Sequence, residues 1–150
     1  MKNVLLTILF CLTISVSYAQ KVEVSNHYTQ RYYTVEYRSV IGMKPIQLSF
    51  LRNTSRVDFV AQVDTIFSRI MGDSIDKAVV QMSISSKGEI LSIAIGVREE
   101  ISYLVTEDMV KSFVNEARSN IVFSDYFDFQ NVSVEGYSTY GIPVGKARKR

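Results

Sequence analysis

Few residues of this sequence are of the types that carry out chemistry on their own. His27 is the only histidine, and a zinc ion needs three or four ligands that converge from suitably spaced positions. Acidic residues do occur as close neighbours, and paired carboxylates can act as general acid and base or bind calcium. These pairs are Glu99 with Glu100, Glu107 with Asp108, and Asp125 with Asp128.

The acidic pairs have simpler explanations than catalysis. Neighbouring carboxylates on a strand point to opposite faces, and Glu107 and Asp108 suit the positive end of a helix dipole. The sequence also lacks a calcium-binding loop, a Gly-rich phosphate loop and a Gly-x-Ser-x-Gly nucleophile motif. We therefore predict no catalytic residues, no metal site and no cofactor, and a protein that is not an enzyme.

The only cysteine, Cys11, lies in a segment with the layout of a secretory signal peptide. Lys2 supplies a positive start, residues 4–16 form a mostly apolar run, and Ala19 ends a junction of small residues that a signal peptidase recognises. An apolar helix of that length reaches about 20 Å, too short for the ~30 Å hydrocarbon core of a membrane. We expect cleavage after residue 19 and export to the periplasm or the cell exterior, with no thiol and no transmembrane anchor left.

The charge of the chain is unevenly distributed. The sequence has 17 basic and 15 acidic residues, a net charge of +2, but the basic tail, residues 146–150, holds four of the basic ones. The remaining mature chain, residues 20–145, is therefore mildly acidic. The tail suits a weak, salt-sensitive contact with an anionic partner, whereas nucleic acid is not an expected partner of an exported protein.

Hydrophobic patterning divides residues 20–145 into strands and two helices. Apolar residues alternate with polar ones over residues 21–50, which predicts half-buried antiparallel strands joined by a turn at residues 42–45. Apolar residues recur at spacings of three and four after Ser55 and again after Thr106, which predicts two amphipathic helices. The order β-β-α-β-β-α-β-β favours an α+β fold, a single domain whose antiparallel sheet of about five or six strands carries both helices on one face.

Capping residues mark the ends of the two helices. Thr54 or Ser55 is expected to cap the first helix, with Asp58 completing an approximate capping box. Gly72 ends this helix, and Thr106 caps the second one. The predicted buried stripe of the first helix contains Val57, Val60, Val63, Phe67, Ile70 and Met71.

The clearest pair of strands lies between the helices. Residues 78–85 and 91–97 each alternate between strongly apolar and small or polar residues, and Gly88 supplies the positive φ that a tight connection uses. Two further strands are expected after the second helix, over residues 121–129 and 132–144. Because each strand of the pair has one strongly apolar face, the sheet should be covered on one side only.

A Val-rich hairpin over residues 78–90 is followed by a helix and by a last strand that contains Gly136 and ends in Tyr140-Gly141-Ile142-Pro143-Val144. In these features residues 77–144 resemble the carboxy-terminal domain of TonB. The resemblance implies a domain that engages a protein or peptide partner by lending it the edge of its sheet. Members that transduce energy have a membrane anchor and a Pro-rich spacer, whereas this sequence has two prolines. The resemblance therefore implies a stand-alone periplasmic relative.

The edge strand in this hypothesis is the last strand of the sequence. An edge strand offers N–H and C=O groups with which an extended peptide can pair. The candidate partner-binding residues are Val134, Tyr137, Tyr140 and Ile142. The same residues also suit an ordinary closing strand that packs on the helices. Two other functions stay open, a small secreted enzyme with a scattered carboxylate site and a structural component of the envelope.

Overall fold

The computed structural model describes residues 20–145. The expected signal peptide and the basic tail lie outside the described residues. The α-helices are α1 (Ser55–Met71) and α2 (Glu107–Asn120). The strands are β1 (Glu23–His27), β2 (Gln30–Glu36), β3 (Ser49–Phe50), β4 (Ala78–Ser85), β5 (Ile90–Arg98), β6 (Phe127–Asp128) and β7 (Tyr137–Val144). Two short 3-10 helices span Glu99–Leu104 and Phe123–Asp125.

Five of these strands form one sheet in the order β1-β2-β5-β4-β7. Each neighbouring pair in this sheet is antiparallel, and β3 pairs with β6 in a separate two-stranded sheet. The buried residues of α1 and α2 join the apolar face of the large sheet in one core. The predicted α+β fold, an antiparallel sheet with two helices on one face, is confirmed.

The core is organised in rows that run across the sheet. One row consists of Tyr33, Ile95, Val80 and Ile142, which are paired from β2 through to β7. Each of the four is at most 7% exposed. The helices add Phe67 and Phe113, whose ring centroids lie 6.0 Å apart in an edge-to-face arrangement. Burial of this apolar surface is the main source of stability, at about 25 cal/mol per Å².

The hairpin of β4 and β5 forms where the sequence predicts it. Gly88 in the connection has a φ of +81°, a conformation that glycine adopts at little cost because it has no Cβ. Its N–H donates to the carbonyl oxygen of Ser85 at 3.0 Å. The pairing shifts by one residue between Ser83 and Ile84, which is a β-bulge near the end of the hairpin.

The first strands differ from the sequence prediction. β1 and β2 form a hairpin whose loop is Tyr28 and Thr29, so the expected turn at residues 42–45 does not join two paired strands. Residues 46–50 alternate because Leu48 is buried and its two neighbours are exposed, yet they contribute only the short β3 to a sheet. The alternation therefore predicted correctly which residues of this segment are buried, but it predicted the wrong strand pairing.

The cap of α2 forms as predicted and that of α1 does not. Thr106 Oγ1 accepts a hydrogen bond from the Met109 N–H at 3.2 Å. Thr54 makes no side-chain cap because its φ of −81° and ψ of −21° are already helical, whereas a capping side chain reaches back from an extended backbone. Ser55 Oγ instead accepts from the Arg52 N–H at 3.1 Å. The expected capping box is therefore wrong.

The buried stripe of α1 is rotated from the predicted one. Its buried residues are Ser55, Phe59, Val63, Ile66, Phe67 and Met71. Val57 is 61% exposed, because six residues separate it from Val63, which is about 240° around a helix with 3.6 residues per turn. Val60 is partly buried. The exposed side of α1 therefore keeps apolar residues near its start.

The chain after α2 is less regular than predicted. Ile121, Phe123 and Phe127 are all buried, but a 3-10 helix and the two-residue β6 replace a continuous strand over residues 121–129. The last strand begins at Tyr137 and not at residue 132. These three apolar residues are thus buried as expected, but their spacing is not that of a continuous strand.

Candidate functional site

β7 is an edge strand, since only β4 pairs with its full length. Backbone groups of successive residues alternate between the two sides of an antiparallel strand. Tyr137 turns its N–H and C=O away from β4, where they bond the Lys44 carbonyl at 3.0 Å and the Ile46 N–H at 2.8 Å. Thr139 and Gly141 therefore face the same outer side. Within residues 20–145 no backbone hydrogen bond reaches them on that side.

Pro143 follows the same alternation as Thr139 and Gly141. It has no N–H, so it can occupy this position without loss of a bond to β4, and its carbonyl oxygen faces outward. We call residues 139–143 the open edge. It presents two N–H and three C=O groups to a possible strand partner.

A groove of about 620 Å³ runs along the open edge. One wall is β7 and the opposite wall is the segment 46–50, while the first turns of α1 contribute Arg56, Phe59 and Val60. We call this cavity the edge groove. Its lining is mostly apolar, so the open edge combines free backbone groups with a surface that favours apolar side chains.

Beyond the backbone bonds of Tyr137, side chains of β7 hold the opposite wall in place. The Tyr140 hydroxyl donates to the Leu48 carbonyl at 3.0 Å, and Ser138 Oγ donates to the Ile46 carbonyl. A tyrosine side chain is long enough to keep the two backbones apart. The wall is therefore fixed without closing the open edge.

An aromatic cluster connects the elements that surround the groove. The Phe127 ring lies 4.6 Å from Phe50, 5.2 Å from Phe59 and 4.8 Å from Tyr140, measured between centroids. Aromatic pairs at such distances contribute about 0.5–1.5 kcal/mol each beyond their burial. These rings tie β3, α1, β6 and β7 together. The groove is thus formed before any partner binds.

The described lining of the groove has one charged residue and one tyrosine whose pKa is raised. Among its described lining residues, Arg56 is the one with a formal charge at neutral pH. Burial raises the pKa of Tyr140 above its ordinary value, and hydrogen bonds with Ser138 and Leu48 lower it by less. The phenol is therefore protonated at neutral pH and acts as the donor to Leu48.

The four residues predicted to bind a partner have different places in the fold. Tyr140 lines the edge groove. Ile142 is 1% exposed and belongs to the core. Tyr137 already uses its outward backbone groups. Val134 lies in the loop before β7 and is 44% exposed, so the strand predicted over residues 132–144 is wrong at this position. The expected edge strand is present, but the four side chains do not form one surface.

The residues considered for chemistry are spread over the described surface. His27 lies in β1 with its ring centroid 4.4 Å from that of Tyr28. Glu99 and Glu100 form ion pairs with Arg31 at 3.9 Å and Arg98 at 2.6 Å respectively. Over residues 20–145, no group of three or more His, Cys, Asp or Glu side chains is arranged to hold a metal ion.

No helix within residues 20–145 is long and apolar enough to cross a membrane.

Sequence reasoning missed most of the edge groove. Leu48 and Tyr140 are 92 positions apart in the chain, and no local pattern links them. The outward backbone of Thr139 and Gly141 depends on the register of β4 with β7, which a sequence does not show. One signal was present, since Pro143 in the last strand indicates an edge position.

Comparisons with known proteins give one similar structure. No family model matches the sequence, and no curated protein matches it. The solved structure of a DUF5043 family protein from Bacteroides uniformis ATCC 8492 is similar to this chain with a TM-score of 0.48. The two share 13% sequence identity, and the match covers 83% of this chain and 90% of that chain.

Proposed function

We propose that this protein is an exported, non-enzymatic domain of the bacterial envelope that binds a protein or peptide by strand addition to β7. The observation that carries the proposal is the open edge, where Thr139, Gly141 and Pro143 present backbone groups without a partner. An extended segment would satisfy these groups by becoming a further strand of the sheet. The resemblance of residues 77–144 to the carboxy-terminal domain of TonB supports the same mode of binding.

The energetics require both the open edge and the edge groove. Five backbone hydrogen bonds at about 0.5–1.5 kcal/mol each amount to roughly 3–7 kcal/mol. The loss of translational and rotational freedom on association costs about 4–15 kcal/mol. Backbone pairing alone therefore does not give stable binding. Apolar side chains of the partner must also be buried in the groove beside β7.

The proposal is tested by a substitution that removes one outward N–H. Gly141→Pro deletes the donor on the open edge and leaves the pairing with β4 intact, as Pro143 already does two residues later. Gly141→Ala is the matched control, because it keeps the N–H and its Cβ would meet no atom nearer than Val79 Cγ1 at 3.9 Å. We expect a peptide that binds the wild-type and Gly141→Ala chains to bind Gly141→Pro at least tenfold more weakly, about 1.4 kcal/mol.

The measurement uses the mature chain, residues 20–150, and a displayed library of random seven-residue peptides. Peptides that are selected on the wild type are then titrated by fluorescence anisotropy against both variants, with thermal unfolding as the check that both remain folded. Equal affinity for Gly141→Pro and Gly141→Ala would place the binding site elsewhere and contradict the proposal. A library without binders would contradict it as well.

Export is the second part of the proposal and needs its own test. Cell fractionation followed by sequencing of the amino terminus should find the protein outside the cytoplasm, beginning at Gln20. A chain that begins at Met1 in the cytoplasmic fraction would contradict the assignment to the envelope. Size-exclusion chromatography of the mature chain distinguishes this proposal from a structural role by self-assembly. A structural role predicts oligomers, whereas the proposed binding domain should elute as a monomer.

A further inference from the structure

We propose that the strand added to β7 carries an acidic side chain that pairs with Arg56. This inference rests on the proposed function and specifies the chemistry of the partner. Arg56 lines the edge groove, and within residues 20–145 it forms no ion pair. The described lining residues include no carboxylate that could take this place.

The position of Arg56 along the groove restricts where the acidic residue lies. Asp64 Oδ1 accepts a hydrogen bond from the Gly145 N–H at 2.8 Å, so this carboxylate stands where β7 ends. Arg56 lies eight residues earlier on α1, about 12 Å along the helix axis. Arg56 is the one charged residue of the described lining, so an acidic residue of the partner is attracted to the Arg56 end of the groove.

The apolar lining specifies a second residue of the partner. Alternate side chains of an extended strand point to the same side, about 7 Å apart. If one of them reaches Arg56, we expect the next on that side to contact the apolar lining, which includes Phe50 and Val60. The expected ligand is thus an extended segment in which an acidic and an apolar residue are separated by one residue.

A charge reversal with a matched control tests this inference. Arg56→Glu changes the groove, whereas Arg52→Glu makes the same change of net charge at an exposed residue outside the groove lining. We expect peptides selected on the wild type to be enriched in Asp or Glu two positions from an apolar residue. Their affinity should fall about tenfold for Arg56→Glu and less than twofold for Arg52→Glu.

The peptide side of the pair gives the complementary measurement. A selected peptide is resynthesised with its acidic residue changed to Gln and to Lys. The Gln peptide should lose affinity for the wild type, and the Lys peptide should regain affinity on Arg56→Glu. The difference between acidic and Gln peptides should also shrink as salt rises from about 0.05 M to about 0.5 M, because screening weakens an exposed ion pair.

The outcomes separate this inference from the proposed function. Peptides that are lost on Gly141→Pro but show no acidic preference and no dependence on Arg56 would overturn the inference and leave strand addition supported. Peptides that are insensitive to Gly141→Pro, or the absence of any bound peptide, would overturn both. A wild-type dimer that Gly141→Pro converts to a monomer would show that a second copy of the chain occupies the edge. That result would overturn the inference that the added strand comes from a partner with an acidic residue.

Discussion

Gly136 packs directly against the backbone of Lys44 at the point where β7 begins. A Cβ at position 136 would come within 2.6 Å of Ile46 Cγ2 and would also overlap the Lys44 carbonyl oxygen. This contact permits the bridge between Pro45 and Tyr137, which covers the first residue of the edge strand. Gly136 thus admits the second backbone that closes the edge at Tyr137, two residues before the open edge begins at Thr139.

The contact at Gly136 predicts a large effect of a single methyl group. Gly136→Ala should lower the free energy of unfolding by about 1–3 kcal/mol, because backbone atoms and not a flexible side chain must move. Gly141→Ala in the same strand has room for its Cβ and should change stability by less than about 0.5 kcal/mol. Urea denaturation of both variants measures the difference. Equal losses would contradict the close packing at Gly136.

The hydrogen bond between Tyr140 and Leu48 predicts a second stability change. Tyr140→Phe keeps the ring in its aromatic cluster and leaves the partly buried Leu48 carbonyl without its donor, so we expect a loss of about 1–2 kcal/mol. Tyr103→Phe is the control, since Tyr103 is 79% exposed. Thermal unfolding of the two variants distinguishes them. An unchanged Tm for Tyr140→Phe would show that this bond does not hold the wall of the groove.

Two partly buried tyrosines predict that stability falls at alkaline pH. Burial raises the pKa of both Tyr140 and Tyr126 above the ordinary value, and the charges of Asp125 and Asp58 raise that of Tyr126 further. The unfolded chain therefore releases these protons first, near pH 10. Their contribution to stability is complete below that pH and is lost as the pH rises through the folded-state pKa values.

Urea denaturation at about pH 8 and about pH 10.5 tests this pH dependence. We expect a lower free energy of unfolding at the higher pH and a smaller decrease for Tyr140→Phe than for the wild type. Parallel decreases in the two proteins would mean that Tyr140 is not responsible.

A threonine-to-alanine substitution should have different effects on stability at the starts of the two helices. Thr106→Ala removes the Oγ1 that accepts from the Met109 N–H and should cost about 1 kcal/mol. Thr54→Ala removes a hydroxyl that makes no capping bond and should cost less than about 0.5 kcal/mol. Chemical denaturation of both variants measures the difference. A larger loss of stability for Thr54→Ala would contradict the structure and support the capping role that the sequence predicts for Thr54.

The local patterns of the sequence predicted much of the fold. The alternation on both sides of Gly88 gave the central hairpin, and Thr106 together with the acidic residues after it gave the start of α2. These signals are reliable because each depends on atoms a few residues apart. The same reasoning failed where burial lacks regular pairing. Leu48, Phe123 and Phe127 are buried as their apolar character predicts, but they lie in segments that are too short or too irregular to extend the large sheet.

The sequence by itself determined an α+β domain with an apolar sheet face and two helices, and its resemblance to the carboxy-terminal domain of TonB predicted that the last strand is an edge. It did not determine which part of that edge is open. Tertiary structure decided this, because the register of β7 on β4 sets the side to which Thr139 and Gly141 turn their backbone groups. It also placed Arg56 beside them, since only folding brings the first turn of α1 to a strand about 80 residues later in the chain. Contacts between such distant segments depend on the whole core, and no local spacing encodes them.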